Sequence, residues 1–157
     1  DIVDQEKVAI AFTDTAHDVF GKVNEAAVTV LRRAWPRLVD GSADRIPMDL
    51  AAGSYFGGRK PEDGRIDWNK SAAQIYNLIR GVTHPYPGAF TELNSMKLLI
   101  WSAWPVAGSG QPGQVVSLKP LCIGTGDGLL ELRRVQFEGG QEQEATACSL
   151  SESDRFA

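Results

Sequence analysis

Residues 88–104 read GAFTELNSMKLLIWSAW. AFTEL and MKLLIWSAW are short β-type runs that give two strands, and Asn94-Ser95 between them supplies the turn. Further β-type runs follow: QVVSL, LCIGT and LLELRRVQF, separated by AGSGQPG and GDG. Five strands with turn-like punctuation predict a small antiparallel barrel or sandwich.

Upstream of this β-region the texture is helical. Ser71 with Gln74 forms a capping box, and Ile75, Leu78, Ile79 and Val82 recur at helical spacing, so a helix of about three turns is predicted, stopped by Gly81 and Pro85. A longer helix is expected after Thr15 and Asp18, a second capping pair. Phe20, Val23, Ala27, Val30, Leu31 and Ala34 draw one apolar stripe along it, and Pro36 is expected to end it. Val8, Ile10 and Phe12 alternate as a half-buried strand would. One strand and one helix cannot bury that stripe, because a two-layer α/β unit needs several strands beneath the helix; the missing strands are expected upstream. Asp40 to Gly53 reads as irregular chain. The organisation is α/β: a partial α/β piece over 1–60, then a small antiparallel β-domain with one helix over 61–157.

Between them lies FGGRKPEDGRIDW, residues 56–68, with three glycines, a proline and six charges between two aromatics. It is a solvated connector, a ligand loop, or both. The pattern makes Gly57, Gly58 and Arg59 candidates for substrate binding, since a guanidinium beside flexible amides suits a phosphate or pyrophosphate. An arginine pairing with Glu62 or Asp63 is the competing reading. Arg80 and Tyr86 are added because the short helix and the PYPG turn are expected near the same joint.

The chain has 157 residues, 43% hydrophobic content and a formal charge of −4, which favours a packed core and gives no global footprint for nucleic acid or an anionic membrane. Cys122 and Cys148 form no metal-binding or redox motif, so no metal is expected and a reduced, cytoplasmic setting fits. No apolar run reaches the length of about 18 residues that reads as a membrane span, and no signal-peptide pattern opens the chain. Asp1 is not methionine, so the chain is expected to be processed, or a piece of something longer. His84 reads as a surface turn residue and His17 as a solvated helical residue beside Asp18. Cys122 reads as a small buried hydrophobe and GTGDG as a hairpin turn. Trp101 and Trp104, three apart, fall on opposite faces of an ideal strand, so at least one is expected in the core; a base-stacking platform is the sharper alternative. Adjacent Arg133 and Arg134 are expected on opposite faces.

The order of these segments resembles the C-terminal half of the folate-dependent formyltransferases. The residues carrying the resemblance are DIVDQ with TDTA, FGGRKPEDGRIDW, SAAQIYNLIRG, HPYPGAFTEL, and PGQVVSL followed by GTGDGLLELRRVQ. It is nearest to the members acting on UDP-4-amino-4-deoxy-L-arabinose and related sugar nucleotides. The resemblance implies a Rossmann-like catalytic domain, of which residues 1–60 are the end, followed by an OB-like domain. It implies transfer of a formyl group from 10-formyltetrahydrofolate, bound mainly by the upstream domain, to the amine of a nucleotide-linked amino sugar. The family's catalytic Asn, His and Asp precede the position of Asp1, which is only their neighbour. No catalytic residue is therefore expected in this chain, and no turnover from it alone.

A methionyl-tRNA formyltransferase is the alternative, but residues 61–157 hold 8 Lys and Arg against 11 Asp and Glu, a net of −3, so tRNA is not expected as a partner. A stand-alone OB-like nucleic-acid-binding module and a formylation domain of a multidomain peptide synthetase are the other readings. A homodimer is compatible with the pattern.

Overall fold

The computed structural model describes residues 1–157, as two compact units, Asp1–Arg59 and Lys60–Ala157.

The first unit is built on α1, Ala16–Val39. Its start follows from the capping box: the Thr15 N–H donates to Asp18 Oδ2 at 2.8 Å, and the Asp18 N–H donates to Thr15 Oγ1 at 3.3 Å. Its end departs from expectation, for Pro36 lies inside the helix and the Asp40 N–H still reaches the Pro36 carbonyl at 3.1 Å. A proline removes its own donor and crowds the carbonyl four residues before it, but the N–H groups of the turn that follows remain free to bond. The strand expected at Val8, Ile10 and Phe12 is absent. That segment has no sheet neighbour in its unit, and Ile10 and Phe12 are more than half exposed, at 60% and 52%.

Of the apolar stripe on α1 only Ala34 is buried; Phe20, Val23 and Leu31 are exposed. The first residues are tied to the helix by charge instead. Arg33 grips Asp4 with two hydrogen bonds, at 2.7 and 2.8 Å, and reaches Glu6 at 3.0 Å. A short 3-10 turn, Leu50–Ala52, is the one regular element between Asp40 and Gly53 apart from the single-residue pairing of Ile46 with Ile2.

The second unit holds α2 (Ala72–Val82) and strands β1 (Ala89–Leu93), β2 (Met96–Val106), β3 (Val115–Leu118), β4 (Leu121–Gly124), β5 (Leu129–Phe137) and β6 (Gln143–Glu144). All pairings are antiparallel, in the order β1-β2-β5-β4-β3, with β6 beside β5. The five expected strands form. The sixth has the sequence QE, which carries no β signal. Asn94 and Ser95 both take positive φ, 50° and 63°, as a two-residue hairpin turn requires.

Of the two forms expected, barrel or sandwich, the edges decide. Residues 155–157 lie between β1 and the start of β3. The Ala157 and Glu92 backbones exchange two hydrogen bonds, and the Phe156 N–H donates to the Gly113 carbonyl at 2.9 Å. This short segment closes the sheet on itself. Ile75, Ile79 and Val82 of α2 join Leu98, Ile100, Leu130, Leu132 and Val135 in one core. Each fully buried Ile or Leu contributes about 1.5–3 kcal/mol.

The β2–β5 pairing carries an irregularity. Partners run Ile100 with Val135, then Ser102 with Arg134, then Ala103 with Leu132. Each strand therefore gains a residue between successive buried positions, 100 and 103 on one and 132 and 135 on the other. The strict alternation expected at two places fails for this reason. Trp101 and Trp104 are both half-buried, with Trp104 packed against the core, and Arg133 and Arg134 both fall between the buried Leu132 and Val135.

Candidate functional site

Within residues 56–68 the glycines do different work. Gly57 and Gly58 lie in exposed chain of the first unit without positive φ, and a side chain at either would meet nothing within 4 Å. Gly64 is the constrained one. It is buried at the end of a 3-10 turn, Pro61–Gly64, and a Cβ there would stand 2.6 Å from the Gly88 carbonyl oxygen. Gly88 in turn has φ +88°, and its own Cβ would strike the Trp101 ring at 2.7 Å. The two motifs GRIDW and PYPGAF therefore meet backbone to backbone, each needing glycine at the crossing.

From this crossing the chain enters the barrel. The Ile66 N–H donates to the Phe90 carbonyl at 2.8 Å, and Trp68 is buried edge-on to Phe156, with ring centroids 5.6 Å apart. A buried polar relay links them: Trp68 Nε1–H donates to Thr91 Oγ1 at 2.9 Å, and the Thr91 hydroxyl donates to the Ala157 carbonyl at 2.6 Å. Both donors are satisfied, which is what burial of an indole N–H and a hydroxyl requires. The GTGDG segment is a hairpin turn, as expected, and it docks on the start of α2. The Gly126 N–H reaches the Trp68 and Lys70 carbonyls at 2.9 Å, and the Ala72 N–H donates to the Asp127 carbonyl.

Arg59 closes the first unit, in exposed chain. Asp63, one of its expected pairing partners, accepts from the Lys60 N–H at 2.7 Å and so serves as a cap. Arg80 lies in the last turn of α2, its Nε donating to Asn77 Oδ1 at 2.8 Å and its guanidinium over the Tyr76 ring at 5.9 Å. Tyr86 is six residues further on, in the turn that follows α2; it is 40% exposed, with its N–H on the Thr83 carbonyl at 3.0 Å.

Sequence reasoning placed His84 as a surface turn residue, and its side chain is 59% exposed. It also has partners that the sequence did not reveal. Its ring stacks on Trp101 with centroids 3.8 Å apart, and its Nε2 lies 3.1 Å from Glu142 Oε2. Glu142 is 58 positions away in the chain. His17 is exposed on α1, and the neighbouring Asp18 carboxylate is engaged by Thr15.

Burial pushes the thiols of Cys122 and Cys148 up, with the Glu131 charge adding at Cys122. Both are free and neither is poised as a nucleophile. No cluster of three or more His, Cys, Asp or Glu is arranged to hold a metal ion. No helix is long and apolar enough to cross a membrane.

A cavity of about 420 Å³ in the second unit is lined by Arg65, Asp67, Trp68, Asn69, Pro112 and Phe156, among others. It does not fit a pteridine. The Trp68 and Phe156 rings are buried against each other rather than offered as a stacking face, and Arg65 is committed to Glu92 at 2.9 Å. No step of a folate-dependent reaction is assigned to these residues.

Residues 59–150 match the family described as formyl transferase, C-terminal domain. The match covers more than half of the chain, and the protein belongs to that family. Among solved structures, HypX from Aquifex aeolicus in complex with tetrahydrofolic acid has the same fold over 88% of this chain, with TM-score 0.63 and 20% identity. A multiply substituted HypX variant superposes with TM-score 0.64 at 20% identity, again over 88% of this chain. The chain spans about a quarter of HypX, 25% and 26% in the two structures.

Proposed function

We propose that this chain is the C-terminal part of a 10-formyltetrahydrofolate-dependent formyltransferase that acts on the amino group of a nucleotide-linked amino sugar. The family match over 59–150 carries the reading. HypX, which shares the fold, is a folate-binding protein in one of its structures, and this supports folate as the one-carbon carrier. The folate and the reacting groups belong in this reading to a Rossmann-like domain, of which residues 1–60 form the end. The exposed apolar face of α1 is the surface expected to seat on that domain's sheet. The closed sheet of residues 61–157 is read as an OB-like domain.

Charge favours the sugar acceptor over tRNA in this reading. Four of the nine lysines and arginines of the second unit sit beside a carboxylate: Arg65 with Glu92, Lys97 with Glu138, Arg133 with Glu131, and Arg134 with Glu142 and Glu144. With those pairs and a net charge of −3 over residues 61–157, this unit offers few unpartnered cations to displace counterions from a polyanion. Gly57, Gly58 and Arg59 of the first unit, and Arg80 and Tyr86 of the second, are the candidates for binding the nucleotide-linked sugar, with the Arg59 guanidinium suited to a phosphate. The protein works in this reading in the cytoplasm, away from membranes, and pairs as a homodimer.

The test joins the chain to a preceding domain that carries the Asn, His and Asp, and supplies 10-formyltetrahydrofolate with nucleotide-linked amino sugars or aminoacylated tRNA. Formylation of a sugar nucleotide is expected, with Arg59→Ala and Arg80→Ala each raising KM for the acceptor about tenfold. Transfer to tRNA alone, or to neither, overturns the reading. The chain by itself gives no turnover.

A further inference from the structure

The turn from α2 into β1 carries His84, and two side chains from elsewhere in the unit, Trp101 and Glu142, meet its imidazole. Trp101 of β2 lies under its face, 3.8 Å between centroids with the planes 15° apart. Glu142, just before β6, meets its edge through Oε2, 3.1 Å from Nε2. The other Glu142 oxygen accepts from Arg134 Nε on β5 at 2.8 Å, and Arg134 Nη1 reaches Glu144 of β6 at 2.8 Å. Trp101 is held in turn by its Nε1–H, which donates to Gln136 Oε1 at 2.9 Å. The charged group in contact with the ring is thus the Glu142 carboxylate, which Arg134 shares, and Arg134 is in turn paired with Glu144.

Arg134 holds the Glu142 carboxyl below the usual carboxylate range against the opposing effect of burial, and the His84 hydrogen bond adds a smaller contribution in the same direction as Arg134. Glu142 therefore remains an anion wherever imidazoles gain a proton, generally between about pH 5 and 8. When the ring is neutral, its contacts are a stack and a neutral-donor hydrogen bond. Once it is charged, the same geometry becomes a cation over an indole face and an ion pair with a carboxylate. Both contacts strengthen without any atom having to move. The turn itself has few backbone ties, the Tyr86 N–H to the Thr83 carbonyl at 3.0 Å and the Gly88 N–H to the Val82 carbonyl at 2.8 Å.

We propose that the α2–β1 turn is a proton-operated latch, in which protonation of His84 clamps residues 84–88 onto Trp101 and the Glu142 carboxylate and so fixes the turn that presents Tyr86. The latch is a property of the barrel surface and does not depend on the formyltransferase reading.

The test is NMR of the whole chain between pH 8 and 5. The Trp101 Nε1–H resonance should differ between the two ends of that range. Amide exchange at Tyr86 and Gly88, corrected for the intrinsic effect of pH, should slow by up to about fivefold on acidification, the range an exposed ion pair supplies. In His84→Gln both responses should vanish. In Glu142→Gln, which leaves the imidazole in place, the slowing of exchange should shrink. His17→Gln, removing the one other histidine, should behave as the unaltered chain. A Trp101 resonance that stays flat, or that moves equally without His84, overturns the proposal. Unchanged exchange at Tyr86 and Gly88 overturns it as well.

Discussion

Thr91 shows how a single hydroxyl can organise a core. It accepts from Trp68 and donates to Ala157, so Thr91→Val leaves a buried indole N–H and a carbonyl without their partner. Each unsatisfied group costs about 1–3 kcal/mol, and urea unfolding should show a loss in that range with an unchanged m-value. Ser95 offers the opposite case. Its φ of 63° is strained for a residue with a side chain, and Ser95→Gly should raise stability by about 0.5–1 kcal/mol in the same assay. Neither residue stands out in the sequence. Asn94-Ser95 is readable as a turn, but the threonine's two partners come from segments far along the chain. The same separation hid the Glu142 contact of His84. The three glycines of residues 56–64 look equivalent on paper, and only the approach of the Gly88 carbonyl distinguishes Gly64.

Among the elements, capping boxes and periodic apolar positions made both helices and five strands legible, because those signals are local. The strand assigned to residues 8–12 failed because alternation needs a neighbouring strand to become a sheet, and its unit supplies none. The phase change between β2 and β5 was invisible because no glycine or proline marks it; two ordinary residues, one on each strand, absorb it. The helix α1 is tied to the first residues by an ion pair that is sensitive to acid. The Arg33 hydrogen bonds hold the Asp4 carboxyl below its ordinary 3.8, with the Gln5 amide and the Arg37 charge adding. A lowered folded-state value means that the stabilisation is present above the unfolded value and is lost as pH falls through the folded one. Helix content followed by circular dichroism should therefore decline below about pH 4 in this unit, and Asp4→Asn should remove that part of the acid response.

For the whole molecule, closure of the sheet rests on residues 155–157, beyond the family match that ends at 150. Phe156 is buried against Trp68, and Phe156→Ala should cost about 3–5 kcal/mol, read as a lower urea midpoint. Ending the chain at Leu150 should cost more, since the backbone pairs with Glu92 and Gly113 go as well. This feature was illegible beforehand: SESDRFA is polar but for two residues and shows no strand pattern. Five strands with their turns pointed to a barrel or a sandwich, and only the pairing of this tail separates the two.

That seam also sets a schedule. The Thr91 hydroxyl waits 66 residues for the carbonyl that accepts its proton. At translation rates of roughly 5–20 residues per second, the nascent barrel stays open for on the order of several seconds, with Trp68 and the β1 edge uncovered. The sheet can therefore close only once residues 155–157 have been made.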